Sequence, residues 1–174
     1  MTAIRPQSRE MIDRLVGFDT TSAKSNLALI DFAQDHLETH GARCRRTVNA
    51  EGTKANLFAS FGPDAPGGVV LSGHSDVVPV GGQAWDSDPF TVIERDGKLF
   101  GRGTADMKSF LAVALALVPE FQAQALQHPL HIAMSYDEEV GCTGVGSMID
   151  DIVTNLPRPE MVIVGEPTDM QIIN

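Results

Sequence analysis

Four short apolar runs in this chain each end abruptly in a turn rich in acids or imidazole, and that pattern constrains the fold more than any other feature. Leu71-Ser72-Gly73 runs into His74-Ser75-Asp76, Phe100-Gly101-Arg102-Gly103 into Asp106, Met134-Ser135-Tyr136 into Asp137-Glu138-Glu139, and Ile163-Val164-Gly165 into Glu166. If the runs are strands lying side by side, these groups converge on one edge of a sheet, where α/β proteins usually bind their ligands. Carboxylates gathered in a poorly hydrated place repel one another unless a cation compensates them. One imidazole among several carboxylates suits zinc, cobalt or manganese, and an open coordination position would make such a site catalytic.

The intervening segments supply the rest of the frame. Met11, Ile12, Leu15 and Val16 share one helical face, and Ile30, Ala33 and Leu37 predict a second helix that stops at Gly41. Alternation at Ala55, Leu57, Ala59 and Phe61 predicts a strand, and Val69 to Leu71 a buried one. Asp96-Gly97, between apolar stretches at 91–94 and 98–100, is a hairpin signal. A helix is expected from about Asp106 to Phe121, a strand over Leu130 to Tyr136, a short helix around Val145 to Ile152 and a strand at Met161 to Val164. This alternation predicts an α/β domain with a mostly parallel central sheet flanked by helices. A length of 174 residues with 43% hydrophobic content suits one domain.

The net charge of −10, from 23 acidic and 13 basic residues, argues against nucleic acid or an anionic membrane as the partner. No run approaches the roughly 20 apolar residues of a membrane span, and MTAIRPQSRE lacks the apolar core of a secretory signal, so a cytoplasmic location is the default. Cys44 and Cys142 are too few for a disulfide framework and read as free thiols.

Each candidate also has an ordinary structural reading. His74 alone could be a satisfied structural histidine, but Asp76 could accept its other ring N–H and fix the tautomer for metal binding. Asp106 could simply cap the helix expected there, Glu138 and Glu139 could be solvated residues at a strand end, and Glu166 is a weak signal by itself. Gly101, Gly103 and Asp106 match only part of a dinucleotide fingerprint, and Ser72 and Ser75 lack the context of a nucleophile. Trp85 reads as a packing residue, while His36, His40, His128 and His131 have no mutual ligand spacing.

Taken in order, LSGHSDVVPV, GRGTADMKSF, SYDEEVGCTGV and VIVGEPTDMQ resemble the metallopeptidase family of acetylornithine deacetylase, succinyl-diaminopimelate desuccinylase and carboxypeptidase G. GGQAWDSDPF resembles the segment that family carries between its first two motifs, and DEEVGCTGV and GEPTDMQ are most similar to its acetylornithine deacetylase branch. The resemblance implies a zinc-exopeptidase-like catalytic domain holding two divalent metal ions, zinc or cobalt. His74 and Glu166 would bind one ion, Asp106 would bridge both, and Glu139 would bind the second. Asp76 would orient His74, and Glu138 would be the general base that takes a proton from the attacking water and delivers it to the leaving amine. The substrate would be a small N-acyl amino acid such as N-acetylornithine, hydrolysed to the free amino acid and acetate in arginine biosynthesis. Desuccinylase, aminoacylase and dipeptidase activities, or a non-catalytic metal-binding module, are the alternatives.

Two departures from the family pattern stand out. Ser109 occupies a position where many relatives have glycine. Family members are also longer, so residues 1–174 are expected to be the N-terminal part of the catalytic domain, without the dimerisation domain, the C-terminal part of the catalytic domain or a further histidine for the second metal. Little or no turnover is expected of such a chain, whereas the longer protein would be a homodimer. A sheet without its late strands is also expected to leave an edge unpaired.

Overall fold

The computed structural model describes residues 4–169 and 171–173. In chain order its elements are α1 (Pro6–Val16), α2 (Leu27–Thr39), β1 (Arg43–Val48), β2 (Ala55–Phe61), β3 (Val69–His74), β4 (Ile93–Arg95), β5 (Lys98–Phe100), α3 (Lys108–Ala116), α4 (Val118–Gln122), β6 (Leu130–Ser135), α5 (Gly146–Asn155) and β7 (Met161–Val164). Five strands form one sheet in the order β1-β2-β6-β3-β7, and β4 pairs with β5 in a separate hairpin. β3 is parallel to β6 and β7, whereas β2 is antiparallel to both β1 and β6. Four of the five strands therefore point the same way, as the mostly parallel reading requires, and β2 alone opposes them.

The alternation in β2 sorts its residues between two layers. Ala55, Leu57, Ala59 and Phe61 join Ile132 and Met134 of β6 against α1, α2 and α3, while Phe58 joins Val70, Ala133 and Met148 on the α5 side. Both faces of β2 are buried, because helices cover the sheet on both sides. β1 was not expected from the pattern. Three of its six residues are arginines, which an edge strand tolerates because its outward face meets solvent, while Cys44 packs toward the core.

The helix expected from Asp106 to Phe121 is shorter and divided: α3 starts at Lys108, and Leu117 separates it from α4. Pro119 explains the break, since it has no N–H to give the carbonyl four residues earlier. That carbonyl, on Leu115, is instead met by His36 Nε2 at 2.9 Å, so His36 supplies the donor that proline removes. The hairpin forms where Asp96-Gly97 placed it, with both residues at positive φ (52° and 70°), the geometry a two-residue primed turn demands. Gly41 likewise follows α2 at φ 79°. No helix among the described residues is long and apolar enough to cross a membrane. β7 forms one edge of the sheet, and Met161, Val162, Ile163 and Val164 are all exposed.

Two substitutions test this packing by denaturant unfolding. Leu57→Ala, at a fully buried site, is expected to cost about 2–5 kcal/mol. His36→Phe keeps the ring but leaves the Leu115 carbonyl without its donor and should cost about 1 kcal/mol; an unchanged midpoint would remove His36 from the account of the helix break.

Candidate metal centre

His74 is the last residue of β3 and is 1% exposed. Its Nδ1–H donates to the main-chain carbonyl of Asp76 at 2.8 Å, which turns Nε2 toward the carboxylates. The Asp76 carboxylate faces the same ring nitrogen, its nearer oxygen 3.6 Å from Nδ1. The two-residue spacing lets the backbone carbonyl come nearer the ring than the carboxylate, which has further partners. It accepts the Ser22 hydroxyl at 2.7 Å and the main-chain N–H groups of Glu138 and Glu139 at 3.1 and 3.3 Å. Asp76 thus places the imidazole with its backbone and the acidic pair with its side chain.

Around His74 Nε2 lie Asp106 Oδ1 at 3.0 Å, Glu166 Oε1 at 3.6 Å and Glu138 Oε2 at 3.8 Å. Two sets have ligand-capable atoms all within 4.8 Å of one another: His74, Asp106 and Glu139, and His74, Glu138 and Glu166. All of the sequence-derived ligands are therefore brought together, with the lone imidazole common to both sets. This grouping differs from the one the resemblance implied, in which Glu166 accompanied His74 and Asp106. Asp106 does not cap α3: Met107 occupies the N-cap position and no side chain caps the helix. Glu166 reaches the group because Gly165 lets β7 approach α3 closely. A Cβ at Gly165 would fall 2.0 Å from the Phe110 ring.

The cluster is electrostatically tense. Glu139 is raised above the ordinary carboxylate range by burial and then by Asp106; Glu166 is raised by burial, which His74 opposes and Asp106, Glu138 and Glu139 reinforce. Burial disfavours the His74 cation, but Asp76 and Glu166 overcome it and push the imidazole up to about 9. Burial also opposes ionisation of Asp76, yet the bonds from His74, Ser22 and the Glu138 amide hold it below the usual value.

Several supporting residues carried no readable signal. Lys54 Nζ bonds both Asp137 Oδ1 at 2.6 Å and the Ser22 carbonyl, fastening the acidic turn to the start of β2. Asn26 bridges Ala55 and Ser75, whose own hydroxyl is spent on the Ser135 carbonyl rather than on any nucleophilic role. Lys108 is fully buried with its amine 2.6 Å from the Phe18 carbonyl, and burial lowers it to about 7. Buried lysines are uncommon, so only the three-dimensional placement reveals this one. Trp85 stacks under the Arg102 guanidinium, 5.3 Å from its ring centroid. Cys44 and Cys142 are free, as expected, and Cys142 sits 3.4 Å from Glu138 Oε1. A cavity of about 240 Å³ adjoins the cluster, lined by His74, Tyr136, Glu138, Cys142 and Glu166 among others. Met170, in the fourth motif, lies outside the described residues.

The chain is 38% identical over 154 residues to an acetylornithine deacetylase of Proteus mirabilis, covering 88% of this chain and 39% of that protein. It is 39% identical over 149 residues to an acetylornithine deacetylase of Shigella sonnei, covering 85% and 38%. It thus spans about two-fifths of the length of these relatives. Among solved structures, human carnosine dipeptidase 1 superposes with a TM-score of 0.75 at 23% identity, over 90% of this chain and 37% of that one. An M20 family metallo-carboxypeptidase from Sulfolobus solfataricus gives 0.78 at 17% identity, over 92% and 37%; at these identities the two structures establish the fold. The family model of peptidase family M20/M25/M40 matches residues 70–173, the stretch that holds all four motif turns and every carboxylate around His74, and the chain belongs to that family.

Proposed function

We propose that this chain supplies the metal ligands and the general base of a metal-dependent amide hydrolase that removes the acyl group from an N-acyl amino acid, converting N-acetylornithine to ornithine and acetate in arginine biosynthesis. The observation that carries the reading is the ring of carboxylates around His74 Nε2, in a chain 38–39% identical to proteins named acetylornithine deacetylase. The donor set fits a borderline divalent cation: one imidazole nitrogen, several carboxylate oxygens, and raised Glu139 and Glu166 whose mutual repulsion a cation relieves. In this reading His74 and Glu166 would hold one ion and Glu139 a second, with Asp106 available to either, zinc being the first choice and cobalt the next. The metal, when bound, supplies Lewis acidity toward the acyl carbonyl and the attacking water.

The proton traffic falls to Glu138. Its carboxylate borders the cavity, within 3.8 Å of Nε2 through one oxygen. It takes a proton from water as the water oxygen attacks the acyl carbon, and returns that proton to the amine nitrogen as the C–N bond breaks. The acyl group leaves as a carboxylate. Asp76 keeps the Glu138 and Glu139 amides in place throughout. A cytoplasmic homodimer acting on a small molecule belongs to the same proposal.

Three measurements test it. In chelator-treated protein His74 keeps its proton up to about pH 9, so zinc must displace that proton and calorimetric affinity should rise about tenfold per pH unit from 7 to 9; a flat profile contradicts the assignment. By the same shift, His74 contributes stability to the metal-free fold that is full below its unfolded value of 6.5 and lost as pH rises through about 9, visible in urea midpoints. Glu138→Gln should keep the zinc stoichiometry of this chain while N-acetylornithine hydrolysis by an active protein that contains it falls about 10²–10⁴-fold, whereas His74→Ala and Asp106→Ala should lose zinc; parallel assays of that protein with N-succinyl substrates and dipeptides identify the preferred acyl group.

A further inference from the structure

The opposite end of the sheet holds a second polar cavity that the hydrolase reading leaves unused. His131 is the second residue of β6 and is 6% exposed. Its ring stacks on Phe58 at 4.9 Å, and its Nδ1 meets the hydroxyl of Ser60, its partner across the β2–β6 pair, at 2.8 Å. Nε2 is buried and has no hydrogen-bonding partner among the described residues. A buried imidazole nitrogen without a partner forfeits its hydration with nothing in return, so an orphan of this kind calls for a ligand.

The surroundings indicate which ligand. His131 lines a cavity of about 350 Å³ together with Arg43, Ser60, Asp64 and Asn155. Of the three arginines on β1, Arg45 pairs with Asp151 through two contacts of 2.6 Å and Arg46 pairs with Asp31 at 2.8 Å. Arg43 donates only to the Gly62 carbonyl, at 3.0 Å, and has no carboxylate partner among the described residues. Even Asp64, exposed on the same wall, does not pair with it. If Ser60 donates to Nδ1, the neutral ring carries its proton on Nε2, in a wall of the cavity that Arg43 also lines. Burial, reinforced by Arg43, keeps the ring neutral.

We infer that the cavity between Arg43 and His131 is an anion subsite that takes a small oxyanion, a phosphate or a carboxylate, held by the Arg43 guanidinium and the His131 Nε2–H. It is separate from the metal cluster: His131 lies beside Val70 in the β3–β6 register and His74 beside Ser135, four residues further, or about 13 Å along the strands. Its success or failure is therefore independent of the hydrolase reading.

The test is a titration of chelator-treated protein with inorganic phosphate, and separately with acetate, at constant ionic strength, following the His131 ring by ¹H–¹⁵N NMR. The expected result is an Nε2-protonated ring whose resonance shifts saturably with at least one of the two anions. In Arg43→Gln, an exposed position whose replacement leaves the core intact, the dissociation constant should rise at least tenfold. His131→Phe should abolish the saturable change in nearby backbone amides. The inference is overturned by an Nδ1-protonated ring, by the absence of a saturable response to both anions, or by equal affinity in Arg43→Gln.

Discussion

The buried carboxylate of Asp76, 2% exposed, is the tie on which the geometry of the site depends. It joins three segments distant in sequence: the Ser22 loop, the end of β3 and the acidic turn after β6. An ionised carboxylate survives burial only when its lone pairs are met, and here a hydroxyl and two amides meet them through charge-assisted bonds. Removing it would leave those donors buried without an acceptor and free the turn that carries Glu138 and Glu139. The adjoining carbonyl of the same residue sets the ring of His74. One residue thus couples the strand that carries the imidazole to the turn that carries the acids.

The remaining architecture brings like charges together at a place where the fold alone does not neutralise them. β3 and β6 run parallel and end in register, His74 beside Ser135, so the turns that follow are forced into proximity. β7 pairs with the other side of β3 and delivers Glu166, with Gly165 allowing the close passage over Phe110. Lys54 offsets Asp137 at the rim of the cluster, but the carboxylates directly around Nε2 have His74 as their shared cationic neighbour. Burial, and then this crowding, push Glu139 and Glu166 up, the condition a divalent cation would reverse.

Most of this was legible in the sequence because apolar runs that stop at charged turns report strand ends directly. The positions of β2, β3, β6 and β7, the Asp96-Gly97 hairpin and the convergence of His74, Asp106, Glu138, Glu139 and Glu166 all follow from that pattern. What escaped it depends on partners remote in the chain. β1 carries three arginines and no clear alternation, so its strand character comes from pairing with β2. The division of α3 from α4 turns on Pro119, and the donor that compensates it comes from His36, 79 residues away. That the Asp76 carbonyl stands nearer the His74 ring than its carboxylate, at 2.8 against 3.6 Å, is a difference residue spacing does not encode. Lys54, Lys108 and Asn26 are invisible for the same reason: their burial is set by tertiary neighbours.

The central claim, that one imidazole and its surrounding carboxylates form a divalent-metal site, is tested most directly by zinc K-edge X-ray absorption on the zinc-loaded protein. The account predicts a first shell of nitrogen and oxygen at about 2.0–2.1 Å with the multiple scattering of a single imidazole, lost in His74→Ala. A sulfur shell at about 2.3 Å, which would implicate Cys142 at the edge of the same cavity, or a spectrum unchanged by His74→Ala, would contradict it.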